Sequence, residues 1–277
     1  MNPYDNDKAF VFLEKLKEDS YEYRGLKTDS LGVEEKRAAI HSLMNIRMPG
    51  KETTALLRAQ DAYLKEELDK KGVVTLSEIP TVDEAYGSSV PFAGKLSLWQ
   101  GDITRLKAEA VVNAANSQML GCFVPCHKCI DNAIHSAAGM QLRAECSRMM
   151  NEKRMRYGRQ YEEPAGTAVL TKAYNLPCEY VIHTVGPIVY GGLTDAHCET
   201  LRSCYEKVLR CCLENGIRSV AFCCISTGEF HFPNEEAARI AFKTVTDFLT
   251  EHEDSMERVV FNVFKGRDLE IYRKMLS

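Results

Sequence analysis

The chain has 277 residues, of which 45% are hydrophobic and 27% charged, a mix typical of a soluble globular protein of one or two domains. Its 39 acidic residues outnumber the 35 basic ones, and a net charge of −4 argues against a nucleic-acid partner. Residues 1–10 lack the apolar core of a signal peptide, and no stretch approaches the ~18 apolar residues of a membrane span. These features predict a cytoplasmic protein with no membrane partner.

The first quarter of the chain is charged and has a helical rhythm. Apolar residues near helical spacing predict three amphipathic helices, over residues 10–16, 33–46 and 54–71. Residues 79–92 then hold two prolines, Gly87 and two serines, which is typical of a linker. We therefore predict a helical N-terminal extension with its linker over residues 1–90, and a second domain over residues 91–277.

From Lys95 onward, predicted strands alternate with predicted helices. The strands cover residues 96–100, 110–113, 167–171, 180–185, 219–225 and 258–264. The helices cover residues 131–149, 194–215, 234–252 and 269–276. The run at 219–225 is almost entirely apolar, as in a central strand buried on both faces. This order predicts an α/β fold, in which helices cover both faces of a parallel or mixed sheet and ligands bind at the carboxyl ends of the strands.

Three of these strand ends carry residues suited to a ligand. The Gly-Asp-Ile-Thr run at 101–104 places a carboxylate where it can accept a hydrogen bond from an exocyclic amine, although Gly-Asp is also a common turn pair. Asn113 and Asn116 offer amides that suit sugar hydroxyls, with turn chemistry as the alternative. The short loop at 226–230 exposes backbone N–H groups that can cradle phosphate, but it matches neither the Walker A loop nor the dinucleotide fingerprint.

A denser cluster lies in residues 121–135. Cys122, His127 and Cys129 supply two thiolates and an imidazole, a zinc-like ligand set that leaves a fourth position open. Cys126 is an alternative fourth ligand that would close the site, and with Cys129 it also forms the Cys-x-x-Cys of a redox motif. A zinc deaminase is excluded, because its His-x-Glu sequence is absent upstream.

Asp131 stands two residues after the last cysteine, at the start of a predicted helix. An aspartate in a first helical turn is commonly a cap. The alternative is a carboxylate that faces the same pocket as the metal. His135, one turn later, is interpreted as a packed or supporting residue, and His183 and His197 as structural residues.

The order of these motifs resembles that of the macrodomain family. The motifs are Gly-Asp-Ile-Thr, Val-Val-Asn-Ala-Ala-Asn, Ile-Asp-Asn-Ala-Ile-His-Ser-Ala-Ala-Gly, Gly-Thr-Ala, Ile-His-Thr-Val-Gly-Pro and Ile-Ser-Thr-Gly-Glu-Phe, and they span roughly residues 95–276. The Cys-x-x-x-x-His-x-Cys spacing, in place of a glycine-rich loop, resembles the zinc-dependent macrodomains that carry an N-terminal helical extension.

The resemblance implies a macrodomain-type mixed sheet and a hydrolase that removes mono-ADP-ribose from protein side chains, mainly aspartate or glutamate. It implies Zn²⁺ held by Cys122, His127 and Cys129, with Asp131 as the catalytic carboxylate. The implied ADP-ribose contacts are Asp102, Ile103, Asn116, Cys129, Ile130, Asp131, Ser226, Thr227, Gly228, Glu229, Phe230 and Asn262. The implied partner is a mono-ADP-ribosylated protein, for example a lipoyl-carrier protein modified by a sirtuin-like transferase.

Two alternatives stand beside this prediction. The first is a non-catalytic ADP-ribose reader in which zinc only stiffens the loop. The second is a redox or zinc-storage loop on an unrelated α/β scaffold, which predicts no affinity for ADP-ribose.

Overall fold

The computed structural model describes residues 7–277, so most of the segment considered above for a signal peptide lies outside the described residues. The three predicted N-terminal helices are present as α1 (Lys8–Asp19), α2 (Val33–Ile46) and α3 (Thr54–Lys71). Side chains of Asp7 and Thr53 accept backbone N–H groups in the first turns of α1 and α3, which satisfies donors that a helix start leaves open. Within residues 7–277, no helix is both long and apolar enough to cross a membrane.

The N-terminal helices enclose a small apolar cluster of their own. Its buried members are Phe12, Leu13, Leu16, Ile40, Leu43, Met44, Leu56, Tyr63 and Met140. Met140 belongs to a later helix, so this cluster joins the extension to the rest of the molecule.

A six-stranded mixed sheet forms the centre of the remaining chain, in the order β2-β8-β7-β4-β6-β5. Its strands are β2 (Leu96–Gln100), β4 (Ala110–Ala115), β5 (Val169–Lys172), β6 (Tyr180–Val185), β7 (Ser219–Phe222) and β8 (Arg258–Val263). Only β5 runs antiparallel to its neighbour; the other pairs are parallel. A separate parallel pair joins β1 (Val74–Thr75) to β3 (Leu106–Lys107).

Helices cover this sheet, and the predicted α/β fold is confirmed. They are α5 (Ile130–Ala138), α6 (Met140–Tyr157), α7 (Asp195–Glu214), α8 (Asn234–Glu251) and α9 (Gly266–Leu276). Helix α5 packs on β4, α6 on β5, and α7 on β5 and β6. All four residues of β7 are buried, as expected of a central strand with both faces covered.

The segment predicted as a linker is more ordered than its composition indicates. It contains helix α4 (Val82–Tyr86), which Thr81 caps by accepting the N–H of Glu84. Ile79 and Val82 are buried in the main core. The proline and glycine residues therefore mark the ends of a short packed helix rather than an exposed tether.

The single helix predicted over residues 131–149 is wrong, because the chain breaks at Gly139 into α5 and α6. Gly139 has φ +95°, a conformation that side chains beyond glycine rarely adopt. Gln60 of α3 accepts the N–H of Met140 at 2.7 Å and so caps the start of α6. Because Gln60, which caps α6, lies 80 positions earlier in the chain, the spacing of apolar residues around Gly139 does not predict this break.

Candidate functional site

Two loops meet at the carboxyl ends of the neighbouring strands β4 and β7. Residues 116–129 follow β4, and residues 223–233 follow β7. The loops approach each other where His127 Nε2 lies 3.7 Å from Glu229 Oε1. Because parallel strands bring their carboxyl ends to one edge, motifs a hundred residues apart meet at this edge of the sheet.

The three predicted metal ligands come together in the first loop. One donor atom each of Cys122, His127 and Cys129 lies within 4.8 Å of the others, and Cys122 Sγ is 3.6 Å from His127 Nδ1. All three side chains are half-buried. Burial raises the pKa of the Cys129 thiol to about 12. A bound divalent metal would reverse this effect by stabilising the thiolate, so this set of two soft sulfurs and an imidazole fits zinc.

Cys126 stands apart from this trio. Its side chain is exposed and its Sγ lies 3.7 Å from the carbonyl oxygen of Ala38 in α2. Its backbone has φ +53°, which turns the chain just before His127. The structure thus brings Cys122, His127 and Cys129 together and leaves Cys126 outside the group.

Asp131 lies in the first turn of α5, directly after the loop of residues 116–129. This loop carries Cys122, His127 and Cys129 and is called the metal loop below. Its Oδ1 accepts a hydrogen bond from Asn113 Nδ2 at 2.8 Å, and its Oδ2 accepts one from Asn116 Nδ2 at 3.2 Å. Burial raises the pKa of Asp131 to about 6, while the Asn113 hydrogen bond and the charge of Arg143 act to lower it. The cap at this helix start is Cys129, whose Sγ accepts the N–H of Asn132, so Asp131 is free for another role.

A buried polar layer supports Asp131 from beneath. Asn113 on β4 lies opposite His183 on β6 and donates to its Nδ1 at 3.0 Å, while His183 Nε2 lies 2.9 Å from Thr171 Oγ1. His135 Nε2 is 3.5 Å from Asp131 Oδ1. Burial lowers the pKa of His183 to about 3, so this layer is neutral at ordinary pH.

The loop after β7 has the features of a phosphate cradle. Ser226 adopts φ +63°, and its Oγ is buried without a hydrogen-bond partner among the described residues. Gly186, at the end of β6, lies so close that a Cβ added there would sit 2.0 Å from Ser226 Oγ. The missing side chain of Gly186 is thus what makes room for Ser226.

The remaining predicted contacts on this loop differ in their surroundings. Thr227 Oγ1 donates to the carbonyl of Cys224, and the Phe230 carbonyl accepts the N–H of Val189. Gly228 and Glu229 are exposed at the tip, and Ile130, the first residue of α5, packs partly buried against the main core. The tip is therefore accessible to a ligand from solvent, while hydrogen bonds of Thr227 and Phe230 anchor both of its ends.

Asp102 and Asn262 lie together at the ends of β2 and β8. Asn262 donates its amide to the carbonyls of Trp99 and Gly101, which holds the turn before Asp102. One oxygen of Asp102 accepts from Thr104, and the other lies 3.3 Å from Lys71 Nζ of α3. The side chain of Ile103 is buried in the core, so only its backbone can meet a ligand.

Two residues contribute to the site in ways that the sequence did not indicate. Asn113 was weighed only as turn chemistry or a sugar contact, yet it holds Asp131; an amide within the apolar run of β4 was the available signal. Phe264 follows β8 two residues after Asn262 and is 74% exposed. No sequence pattern distinguishes it from a buried strand residue, but its exposed ring at a strand end is suited to stacking on a planar base.

Comparison with known proteins agrees with this architecture. The family model described as "Macro domain" matches residues 112–241. The chain is 43% identical over 271 residues to a protein-ADP-ribose hydrolase of Treponema medium, covering 98% of each chain. It is 40% identical over 236 residues to a protein-ADP-ribose hydrolase of Staphylococcus aureus (strain MSSA476), covering 85% of this chain and 82% of that one.

A solved structure extends the similarity to three dimensions. The Trypanosoma brucei macrodomain, crystallised in complex with ADP-ribose, superposes with a TM-score of 0.65 at 30% identity and covers 83% of this chain and 93% of that one.

Proposed function

Because this chain belongs to the Macro domain family, we propose that it is a protein-ADP-ribose hydrolase whose cleft holds ADP-ribose across the ends of β2, β8, β7 and β4. The observation that carries the proposal is the position of Asp131. Two asparagine amides hold it two residues after the last member of the Cys122, His127 and Cys129 trio. The loop after β7 reaches the same trio, since Glu229 Oε1 lies 3.7 Å from His127 Nε2. A reader would need neither the carboxylate nor the metal set, and the family membership excludes an unrelated scaffold.

The ligand is proposed to lie with its adenine near Asp102, the backbone of Ile103, and Asn262. Its diphosphate meets the backbone N–H groups and Ser226 Oγ of the 226–230 loop. The distal ribose then reaches Asn116 and the metal loop at Cys129 and Ile130. The negative charges of ADP-ribose lie on its diphosphate. In this proposal the backbone N–H groups and Ser226 Oγ of the 226–230 loop donate hydrogen bonds to those charged oxygens.

Zinc is proposed as the cofactor, held by Cys122, His127 and Cys129. When bound, zinc supplies a Lewis acid that polarises oxygen and fixes its position. Cys126 takes no part, since its side chain faces α2.

Asp131 is proposed to accept a proton from water as the water oxygen bonds to C1″ of the distal ribose. The bond from C1″ to the side-chain oxygen then breaks, and the aspartate or glutamate leaves as its carboxylate. Each of its oxygens accepts one amide hydrogen bond, which leaves a lone pair on each for the substrate. Its pKa near 6 leaves it mostly ionised at neutral pH, and burial makes it more basic than an exposed aspartate.

The proposed substrate is mono-ADP-ribose linked to an aspartate or glutamate side chain, for example on a lipoyl-carrier protein modified by a sirtuin-like transferase. This finer assignment rests on the resemblance of the Cys-x-x-x-x-His-x-Cys motif to the zinc-dependent subgroup. The cytoplasm remains the expected location.

The test compares release of ADP-ribose from an aspartate-linked mono-ADP-ribosylated protein by the full chain, with and without a chelator. Asp131→Ala and Cys129→Ala are expected to abolish release, and chelator to do the same to wild type. Cys126→Ala is the matched control, because it removes a thiol from the same loop but outside the trio, and it is expected to keep wild-type release.

Calorimetry of ADP-ribose binding separates the hydrolase from the non-catalytic reader. Tight binding with no release by wild type would favour the reader. Release that resists chelator would contradict the zinc proposal but leave the hydrolase standing, and absence of both binding and release would contradict the proposed function.

A further inference from the structure

Helix α2 of the N-terminal extension makes side-chain contacts with the metal loop. Asn45, near the end of α2, is 1% exposed. Its Oδ1 accepts the backbone N–H of Cys126 at 2.9 Å, and its Nδ2 donates to Ser136 Oγ at 3.0 Å. A single buried amide therefore joins the extension, the metal loop and helix α5.

The accepted N–H belongs to a residue in the left-handed region, where the loop turns just before His127. Cys126 has φ +53°, and the next residue, His127, closes the turn by donating its own N–H to the carbonyl of Val124. The direction in which His127 leaves this turn decides whether its ring reaches Cys122 Sγ, which is 3.6 Å away. Asn45 thus acts on the residue immediately before a proposed ligand.

A second contact from α2 reaches the same turn at Val124, through Asn132. His41 Nε2 donates to Asn132 Oδ1 at 2.9 Å, and Asn132 in turn donates from its Nδ2 to the carbonyl of Val124 at 3.0 Å. The backbone N–H of Asn132 meets Cys129 Sγ at 3.4 Å. Both ends of the turn are therefore connected to α2 through buried or half-buried amides.

The end of α2 is itself fixed to the rest of the molecule. Arg143 of α6 donates from one guanidinium nitrogen to the carbonyls of Met44, Asn45 and Arg47, which are orphan acceptors at a helix end. The same guanidinium lies 4.5 Å from the ring centroid of Phe123, the neighbour of Cys122. The position of Asn45 is thereby set by the element that also supports the loop.

We infer that Asn45 is a positioning residue for the metal site, and that the extension is a structural part of that site rather than a separate module. This inference rests on the proposed function, since it concerns the affinity of the Cys122, His127 and Cys129 set for zinc. Residues that orient metal ligands without touching the metal commonly change affinity by about 10- to 100-fold when removed.

The test measures the zinc affinity of the full chain by competition with a chromophoric chelator. Asn45→Ala is expected to weaken zinc binding by about tenfold or more. Gln60→Ala is the matched control. Gln60 is equally buried and also accepts a backbone N–H of the later domain from the extension, that of Met140, but it does not touch the loop. Its zinc affinity is expected to equal that of wild type.

Two further variants keep the inference open to refutation. Asn45→Asp keeps an oxygen for the Cys126 N–H and is expected to recover most of the affinity. If circular dichroism shows that Asn45→Ala is unfolded, Asn45→Gln takes its place, since its longer side chain moves the acceptor away from the turn.

Unchanged zinc affinity in folded Asn45→Ala or Asn45→Gln, or an equal loss in Gln60→Ala, would overturn the inference and leave the proposed hydrolase intact. Wild-type protein that takes up no zinc would overturn the proposed cofactor and this inference together.

Discussion

Asp131 is held by neutral groups only, and this determines how its chemistry can be tested. Asn113 and Asn116 each donate one amide hydrogen bond to it, and His135 stands 3.5 Å from one oxygen. None of these contacts is a full ion pair with a neighbouring cation. Burial outweighs the Asn113 hydrogen bond and raises the pKa of Asp131 to about 6, so the carboxylate is more basic than an exposed aspartate and is oriented without an ion pair to these neighbours.

Asp131→Asn keeps the shape of the side chain but removes its ability to accept a proton. Release of ADP-ribose is expected to slow by about 100-fold or more, the usual contribution of a general base. Single-turnover release measures the effect, and calorimetry of ADP-ribose binding serves as the control. An affinity that falls as far as the rate would mean that Asp131 binds ligand rather than taking a proton.

Gly186 tests the phosphate loop. In Gly186→Ala the new Cβ would sit 2.0 Å from Ser226 Oγ and 2.9 Å from Ile225 Cγ2, so Ser226 must move. ADP-ribose affinity is expected to fall about tenfold, equivalent to about 1.4 kcal/mol. Gly94→Ala is the control, because a Cβ there meets no heavy atom within 4 Å. If calorimetry gave equal ADP-ribose affinities for the two variants, Ser226 would not be a contact of ADP-ribose.

At the scale of elements, the junction of α5 and α6 ties the extension to the sheet domain. Gly139 ends α5, and Gln60 of α3 caps the first N–H of α6. Met140, the first residue of α6, packs in the apolar cluster of the N-terminal helices. The two helices must separate here so that α6 can receive contacts from α3.

Gly139→Ala forces a Cβ into this junction. The residue has φ +95° and the added atom would lie 2.6 Å from Gln60 Nε2. Backbone strain of this kind costs about 1–3 kcal/mol, so the free energy of unfolding in urea is expected to fall by that amount. Gly50→Ala, where a Cβ meets nothing within 4 Å, should change it little. A Gly139→Ala variant as stable as Gly50→Ala would mean that the junction relaxes freely.

At the scale of the whole molecule, the buried histidines make the fold sensitive to acid. Burial lowers the pKa of His183 to about 3 and that of His135 well below its usual 6.5. Below pH 6.5, His183 and His135 bind protons in the unfolded chain but stay neutral in the folded chain. Stability is therefore lost as the pH falls through the window from about 6.5 to about 3.

His183→Gln tests this dependence. Between pH 7.5 and 5.5, His183 alone is expected to remove about 1 kcal/mol from the free energy of unfolding. The variant should lose about that much less than wild type when urea unfolding is compared at the two pH values. Parallel losses in both proteins would show that other groups govern acid lability.

Much of the fold could be predicted from local patterns. Helical spacing predicted α1 to α3, and the alternation of apolar runs predicted the strands of the sheet and the helices after them. The segment around α4 and the break at Gly139 were predicted wrongly. Each depends on burial or on a cap supplied by distant residues, which neighbouring positions do not encode.

By itself the sequence determined which chemical groups are available: two thiolates and an imidazole at metal spacing, a carboxylate two residues on, and amides and a glycine loop at other strand ends. Only the tertiary structure decided which of them work together. It turned Cys126 toward α2, placed Asn113 under Asp131, and brought Asn45 to a loop 81 residues away. The physical reason is that composition sets chemical capacity, whereas orientation depends on hydrogen bonds between segments that are adjacent only after the chain has folded.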